Sequence, residues 1–349
     1  MANGERFARV AGMKRSVFIL LGFGVVLSGC LERKVEMTAS GGEPAVAGAE
    51  RGDWLRIAVV PKGTTHTFWK TVHAGAKKGA AETGAELLWK GPVGEGDREG
   101  QIKVVENFVT QGVDAIALAP LDDVALVRPV KEASDDGIPV VIWDSGLSEA
   151  GDGAFGSFVA TDNFIAGEKC GRKMAELLGG KGKVMMLRYE VGSASTQKRE
   201  DGFMKGLKEA GPEIEVVSSD QYAGGTVEKA QESANNLLNQ FGDVVDGIYT
   251  PNESATEGML LAVRSAGLAG KVKFVGFDSN SALVAGIEAG ELHALALQDP
   301  FNMGYLAVKA AVALVKGEAV EARVDTGSVW LTKENMGEAA MQALLNPEI

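Results

Sequence analysis

From Trp54 onward, short β-branched or apolar runs alternate with segments of helical period, and this alternation constrains the fold more than any other feature of the chain. Arg56–Val60, Glu86–Trp89, Asp114–Leu118, Val140–Trp143, Lys183–Leu187, Ile214–Ser218, Asp246–Tyr249, Val272–Phe277 and Leu292–Leu297 read as strands. Between them Phe68 to Ala81 puts Phe68, Val72 and Ala76 on one helical side. Gln101 to Val109 does the same with Ile102, Val105 and Val109, at spacings of three and four. Further helices centre near positions 130, 170, 205, 235, 260 and 285, with a long one over 302–316. Pro129 falls inside one of these and is expected to kink or restart it. Strands apolar on both faces and separated by helices specify a parallel sheet covered on both sides. Ten or so strands are too many for one short open sheet. The expected class is therefore α/β, with two doubly wound parallel-sheet lobes. The 46 glycines suit the many tight strand–helix turns this requires.

The N-terminus has a different character. Lys14 and Arg15 precede an uncharged apolar run, Val17 to Leu27, followed by Ser28, Gly29 and Cys30. A short positive region, about a dozen apolar residues and small residues at a cleavage site make a secretory signal over 1–29. The run is shorter than the roughly 20 apolar residues that span a bilayer. Small residues directly before a Cys resemble the bacterial lipobox, so Cys30 is the expected lipidation site and the first residue of the mature chain. Met13 is a possible true start. Residues 30–53, with Gly41-Gly42, Pro44 and no apolar period, read as a flexible tether. Removing 1–29 takes away four bases (Arg6, Arg9, Lys14, Arg15) and one acid (Glu5), which moves the net charge from −12 to −15. Nucleic acid is excluded as a partner, because binding it requires clustered Lys/Arg. With Cys30 used as the anchor, Cys170 remains, and its place on the apolar side of a helix reads as a buried thiol.

In doubly wound sheets the ligand groups sit just past the carboxyl ends of the strands. Those positions here are rich in hydrogen-bonding side chains. Pro61-Lys62-Gly63-Thr64-Thr65-His66-Thr67-Phe68-Trp69 follows the first strand, and Asp144-Ser145 follows Val140–Trp143. Ala160-Thr161-Asp162-Asn163, Thr250-Pro251-Asn252-Glu253, Phe277-Asp278-Ser279 and Gln298-Asp299-Pro300 come after. Carboxylates, amides and rings in this dispersed pattern suit a polyhydroxylated ligand: Asp accepts paired hydroxyls, Asn and Gln donate and accept, and ring faces cover C–H surfaces.

The motifs Phe68-Trp69, Gly137-Ile138-Pro139-Val140-Val141-Ile142-Trp143-Asp144, Ala160-Thr161-Asp162-Asn163-Phe164-Ile165-Ala166-Gly167, Asn252-Glu253, Val275-Gly276-Phe277-Asp278 and Gln298 occur together and in order. On these residues the chain resembles, over roughly 54–335, the periplasmic sugar-binding proteins of ABC transporters. The resemblance is to the ribose-binding-like branch of the type I periplasmic binding protein fold. It implies two lobes joined by a three-segment hinge, with crossings near 161, 299 and 326. The first lobe would comprise 54–161 plus 299–326, and the second 162–298 plus 327–349. It implies a monosaccharide or derivative gripped by residues matching His66, Phe68, Trp69, Asp144, Asn252, Phe277, Asp278 and Gln298, with Tyr222 as a second-lobe ring. It also implies an ABC permease as partner, a monomeric exported protein, no cofactor and no enzymatic activity. A sensory module presenting its ligand to a chemoreceptor or sensor kinase is the alternative.

The departures from that pattern bear on the ligand. The ribose-binding pattern has Arg where this chain has Ser145, and a second Arg where it aligns Gln197, beside Lys198-Arg199; an Asn is replaced by His66. Losing two planar donor forks means the ligand need not be ribose. Lys62 or Arg188 is available to restore a donor, and either charge would suit an acidic or phosphorylated sugar. Asp144, Asp162 and Asp278 each precede a helix, so a capping role stands beside the binding role. Phe68 and Trp69 could equally be core. His66, His73 and His293 lack ligand spacing, which argues against a metal. No Gly-x-x-x-x-Gly-Lys-Ser/Thr loop, dinucleotide fingerprint or DNA-binding helix pair is present.

Overall fold

A computed structural model describes residues 54–346; the signal, Cys30, the tether and the last three residues lie outside the described residues. The first strands are β1 (Arg56–Val60), β2 (Glu86–Trp89), β3 (Ala115–Leu118), β4 (Val140–Trp143) and β5 (Ser157–Ala160). Next come β6 (Lys181–Arg188), β7 (Glu213–Tyr222), β8 (Gly247–Tyr249), β9 (Lys273–Phe277) and β10 (Ala294–Leu297). The chain ends with β11 (Arg323–Asp325) and β12 (Val329–Leu331). They form two six-stranded sheets, ordered β11-β5-β4-β3-β1-β2 and β12-β10-β9-β8-β6-β7. The second repeats the order of the first, and every pairing is parallel except β12 on β10.

Helices cover both faces of each sheet. On the first lie α1 (Thr67–Thr83), α2 (Arg98–Thr110), α3 (Val127–Asp135) and α9 (Pro300–Val315). On the second lie α4 (Asn163–Leu178), α5 (Ala194–Ala210), α6 (Val227–Phe241), α7 (Glu253–Ser265), α8 (Ser281–Glu288) and α10 (Ala339–Leu345). Alternate residues of one strand feed opposite layers. Ile57 and Val59 pack with Phe68, Trp69 and Val72 of α1, while Ala58 and Val60 pack with Val104, Val105 and Phe108 of α2. In the second sheet Val184 and Met186 meet α4 and α5, and Met185 and Leu187 meet α6 and α7. Truncating such a fully buried side chain to Ala carries the roughly 2–5 kcal/mol of a core cavity.

The α4–α5 pair is unusually close. A Cβ on Gly202 would lie 2.1 Å from the Phe164 carbonyl oxygen, and one on Gly167 would lie 2.1 Å from that of Arg199. Glycine is therefore required at both, and the spacing fixes where Arg199 sits. Pro129 does not break α3. It is the third helical residue, in the turn whose amides have no intrahelical acceptor. Three strands were not foreseen. β11 and β12 are three-residue, partly exposed edge strands, and β5 is interrupted by a half-buried Phe158, so none presents a clear apolar run.

The chain passes between the sheets three times: after β5, where α4 packs on α5 and β9; after β10, where α9 packs on α1, β3 and β4; and between β11 and β12. The two sheets thus form two lobes joined by three segments. Among the described residues no helix is long and apolar enough to cross a membrane.

Candidate ligand-binding cleft

The residues just past the strands of both lobes converge on one small cavity between them. Lys62, His66, Phe68, Trp69 and Asp144 reach it from the first lobe, Asn252 and Asp278 from the second, and Gln298 from the crossing after β10. Six further lining residues were not among the candidate binding residues: Glu95, Tyr189, Ser195, Thr196, Arg199 and Glu253.

Two of these side chains are aimed by strained backbone. Asp144 (φ 59°) and Asp278 (φ 65°) are the non-glycine residues with positive φ among the described residues. They occupy equivalent places, directly after β4 and β9, the third strand from one edge of each sheet. A left-handed Asp costs on the order of 1–2 kcal/mol, and such conformations persist where surrounding structure imposes them. Neither Asp caps the helix that follows it. Asp278 accepts from Gln298 Nε2 at 2.7 Å (Oδ1) and from the Glu253 amide at 3.1 Å (Oδ2), while Asn280 caps α8. Burial pushes the Asp278 carboxyl up to about 6, with Glu253 and Asp144 adding to the rise and Arg199 and Gln298 opposing it. Asp144 pairs with Lys62 Nζ at 3.1 Å, and Lys62 also donates to Ser195 Oγ at 2.9 Å and Ser193 Oγ at 3.4 Å. Asp162 is a cap: its carboxylate accepts from the Ile165 amide at 3.1 Å.

A second network joins the lobes through a buried carboxylate. Glu95 accepts from Trp69 Nε1 at 2.8 Å, from Tyr189 Oη at 2.6 Å, and lies 2.5 Å from His66 Nδ1. For His66 burial works against the charged form, yet the hydrogen bond and charge of Glu95, with Glu253 and Asp278, raise its pKa to about 9. Burial likewise opposes ionisation of Glu95, but its three donors hold it down at about 2. The pair is an ionised buried ion pair, completed by a tyrosine from the opposite lobe.

Arg199 corrects the expectation for Gln197. Gln197 is exposed, whereas Arg199, two positions on and on the opposite side of α5, is buried and lines the cavity. Its Nε donates to Asn163 Oδ1 (2.8 Å) and its Nη1 to the Pro251 carbonyl (3.0 Å). Nη1 lies 3.8 Å from Asp278 Oδ2, and the guanidinium covers the Phe277 ring at 3.9 Å. Its Nη2 and the Oε1 of Gln298 are buried with no protein partner. The helical period could have found it: Ser195, Thr196, Arg199, Gly202 and Phe203 form the buried face of α5. One planar donor fork is thus retained, and Phe277 supports it from beneath instead of lining the cavity.

Tyr222 is also corrected. It ends β7, an edge strand, and stands 37% exposed in a separate groove with Arg188 5.0 Å over its ring. Tyr189, directly after the interior strand β6, is the second-lobe ring that meets the cavity. Arg188 is engaged by Glu200 at 2.6 Å. Ser145 is buried and outside the cavity lining; its Oγ accepts from the Ser195 amide across the lobes at 3.1 Å. Phe68 and Trp69 do both jobs weighed for them: they pack edge-to-face at 4.8 Å in the core of the first lobe and line the cavity. Elsewhere His73 stacks on Trp89 and Cys170 is buried, its thiol pushed up to about 12 by desolvation. His293 sits beside Lys273, and no His/Cys/Asp/Glu group among the described residues could hold a metal.

Comparison with known proteins accounts for this arrangement. Residues 57–319 match the family model described as the periplasmic binding protein domain. The chain is 32% identical over 284 residues to the D-ribose/D-allose-binding protein of Pseudomonas aeruginosa, covering 79% of this chain and 87% of that one. It is 33% identical over 261 residues to the D-allose-binding periplasmic protein of Escherichia coli, covering 73% and 83%. Among solved structures, an ABC transporter solute-binding protein of Agrobacterium vitis with bound D-fucose aligns at TM-score 0.80 and 35% identity, over 83% of this chain and 99% of that one. With two lobes of repeated strand order, three crossings and a polar cavity at the strand ends between them, the chain belongs to the periplasmic binding protein family.

Proposed function

We propose that this protein captures a neutral monosaccharide, or a closely related polyol, between its lobes and delivers it to an ABC permease. The observation that carries the ligand class is the pair of partnerless polar atoms at the cavity, Arg199 Nη2 and Gln298 Oε1, one a donor and one an acceptor, flanking Asp278. Leaving buried polar groups unmade costs about 1–3 kcal/mol each, and a hydroxyl, which both donates and accepts, relieves either. Asp278 and Asp144 supply further acceptors, Asn252 an amide, and Phe68, Trp69 and Tyr189 the ring surfaces.

The cation inventory argues for a neutral ligand over the acidic or phosphorylated sugar considered from sequence. Lys62 is committed to Asp144 and two serines, His66 to Glu95, and Arg199 faces Asp278, while Arg188 is held by Glu200 outside the cavity. Three cations face four carboxylates there, counting Glu253, so an anion would meet no spare positive charge. Relatives named for D-ribose, D-allose and ribose import favour transport over sensing. In this reading the protein is a binding protein and not an enzyme. It is exported to the periplasm, held to the membrane by lipid on Cys30 and monomeric, and the lobes 54–161 plus 299–326 and 162–298 plus 327–349 close about the three crossings.

A thermal-shift panel of pentoses, hexoses, polyols, uronic acids and sugar phosphates tests the proposal. A neutral member at 100 times its Kd should add about 2.7 kcal/mol of stability. A panel in which anions alone shift the melt would overturn the neutral-ligand reading.

A further inference from the structure

Helix α1 carries Phe68 and Trp69 into the cavity, yet it has no cap of its own. His66 stands at its N-cap position with no side-chain hydrogen bond to the helix, and no acid lies in its first turn. Helices α2, α4, α6, α7, α8 and α9 each have an Asp, Asn or Thr at that position accepting one of their amides. For α1 the acceptor comes from the other lobe. Thr67 N donates to Glu253 Oε1 at 3.1 Å and Phe68 N to Glu253 Oε2 at 3.0 Å. Glu253 is the first residue of α7, 5% exposed, and 185 to 186 residues away in sequence.

The carboxylate has little capacity left for a ligand. Its oxygens receive those two amides and Asn280 Nδ2 at 3.2 Å, three of about four acceptor sites. Its own amide donates to Asp278 Oδ2 at 3.1 Å, so the latch is tied through one residue to the strained carboxylate of the cavity. Parting the lobes breaks the two amide bonds and leaves the α1 N-terminus to water. Closing them places an anion at the positive end of a 17-residue helix.

We propose that Glu253 is a positioning residue for ligand retention: a carboxylate that holds the closed state by capping α1 from the opposite lobe, without touching the ligand. This rests on the reading of the cleft as the ligand site for its consequence in binding, but not for the closure itself. Two charge-assisted bonds exchanged for bonds to water shift the closed-to-open ratio by roughly two to four orders of magnitude, and Glu253→Gln, whose amide oxygen still accepts one bond, should lose at least about tenfold of it.

The test uses spin labels on Lys103→Cys in α2 and Glu232→Cys in α6, both exposed, in a Cys30→Ser background where the buried Cys170 stays unlabelled. Pulsed dipolar spectroscopy without added sugar should give a short, closed distance, and the ratio of closed to open species should fall at least about tenfold in Glu253→Gln. An unchanged distribution in Glu253→Gln, or no closed population in its parent, overturns the proposal whatever the cleft binds. The second arm measures D-allose by stopped flow. Glu253→Gln should lose at least about tenfold in affinity, with the loss falling on dissociation, and lose the same factor for any other sugar that binds. A loss that differs between sugars epimeric at single carbons would mean direct contact and would equally overturn it. If D-allose fails to bind at all, the choice of sugar fails while the first arm still decides the latch.

Discussion

Replacing Asp278 by Asn separates stability from binding at one atom. The substitution keeps the volume and the left-handed backbone, since Asn, like Asp, tolerates positive φ. It removes the charge that burial makes costly. The carboxyl rises from 3.8 to about 6, roughly two units at 1.36 kcal/mol each, so the ionised form destabilises the ligand-free fold by about 3 kcal/mol at neutral pH. The native chain holds a proton here that the unfolded chain has released between about pH 4 and 6. Stability from this group therefore falls as pH rises through that window and stays low above it. Asp278→Asn should remove that dependence and raise the ligand-free melt at pH 7.5 by roughly 5 °C. The same change deletes charge-assisted hydrogen bonds to the sugar. At about 1.5–3 kcal/mol each, losing two weakens binding by roughly two to four orders of magnitude. Sugar donation to the carboxylate favours its ionised form, so wild-type binding near pH 6 should release protons and tighten as pH rises. Melts at pH 5 and 7.5, with calorimetric titration in two buffers of different ionisation enthalpy, measure all of this. A variant no more stable than wild type at pH 7.5, with its affinity intact, would refute the reasoning.

Other perturbations have equally definite outcomes. His66, raised to about 9, contributes stability that is complete below its unfolded value of 6.5 and lost as pH climbs through 9. Glu95, held at about 2, contributes stability complete above 4.5 and lost on acidification. Urea titrations should therefore find the pair's contribution greatest between about pH 4.5 and 6.5, and Glu95→Ala, which strands His66, Trp69 Nε1 and Tyr189 Oη, should cost roughly 3–5 kcal/mol there. Gly202→Ala drives a methyl against the Phe164 carbonyl; forcing α4 and α5 apart should cost roughly 1–3 kcal/mol in a thermal melt and move Arg199 off Asn163. Cys30→Ser should abolish incorporation of a labelled fatty acid and leave the protein soluble, and equal labelling of variant and parent would count against the anchor.

The legible parts of this molecule are those with local signals. Nine strands and the helices between them announce themselves by apolar runs and period, because a strand buried on both faces has no freedom in composition. β11 and β12 escaped because three-residue edge strands bury little. In the cleft, residues directly after interior strands were readable, since topology alone sends Lys62, Asp144, Asn252, Asp278 and Gln298 there. What escaped depends on three-dimensional register. Arg199 was missed in favour of Gln197 because matching along the chain ignores the rotation of α5, which turns Gln197 to solvent. Glu95 and the role of Glu253 were missed because each acts on the other lobe, through Tyr189 and through the α1 amides, at separations that no local spacing encodes.

The central claim is that a neutral sugar completes the hydrogen bonding of two atoms the protein leaves unsatisfied. A crystal structure of the protein with the tightest neutral sugar from the thermal-shift panel tests this directly. The account predicts hydroxyl oxygens at about 2.7–3.2 Å from both Arg199 Nη2 and Gln298 Oε1, with Asp278 accepting from an adjacent hydroxyl. A sugar bound elsewhere, or one seated in the cleft that leaves both atoms without a partner, would contradict it.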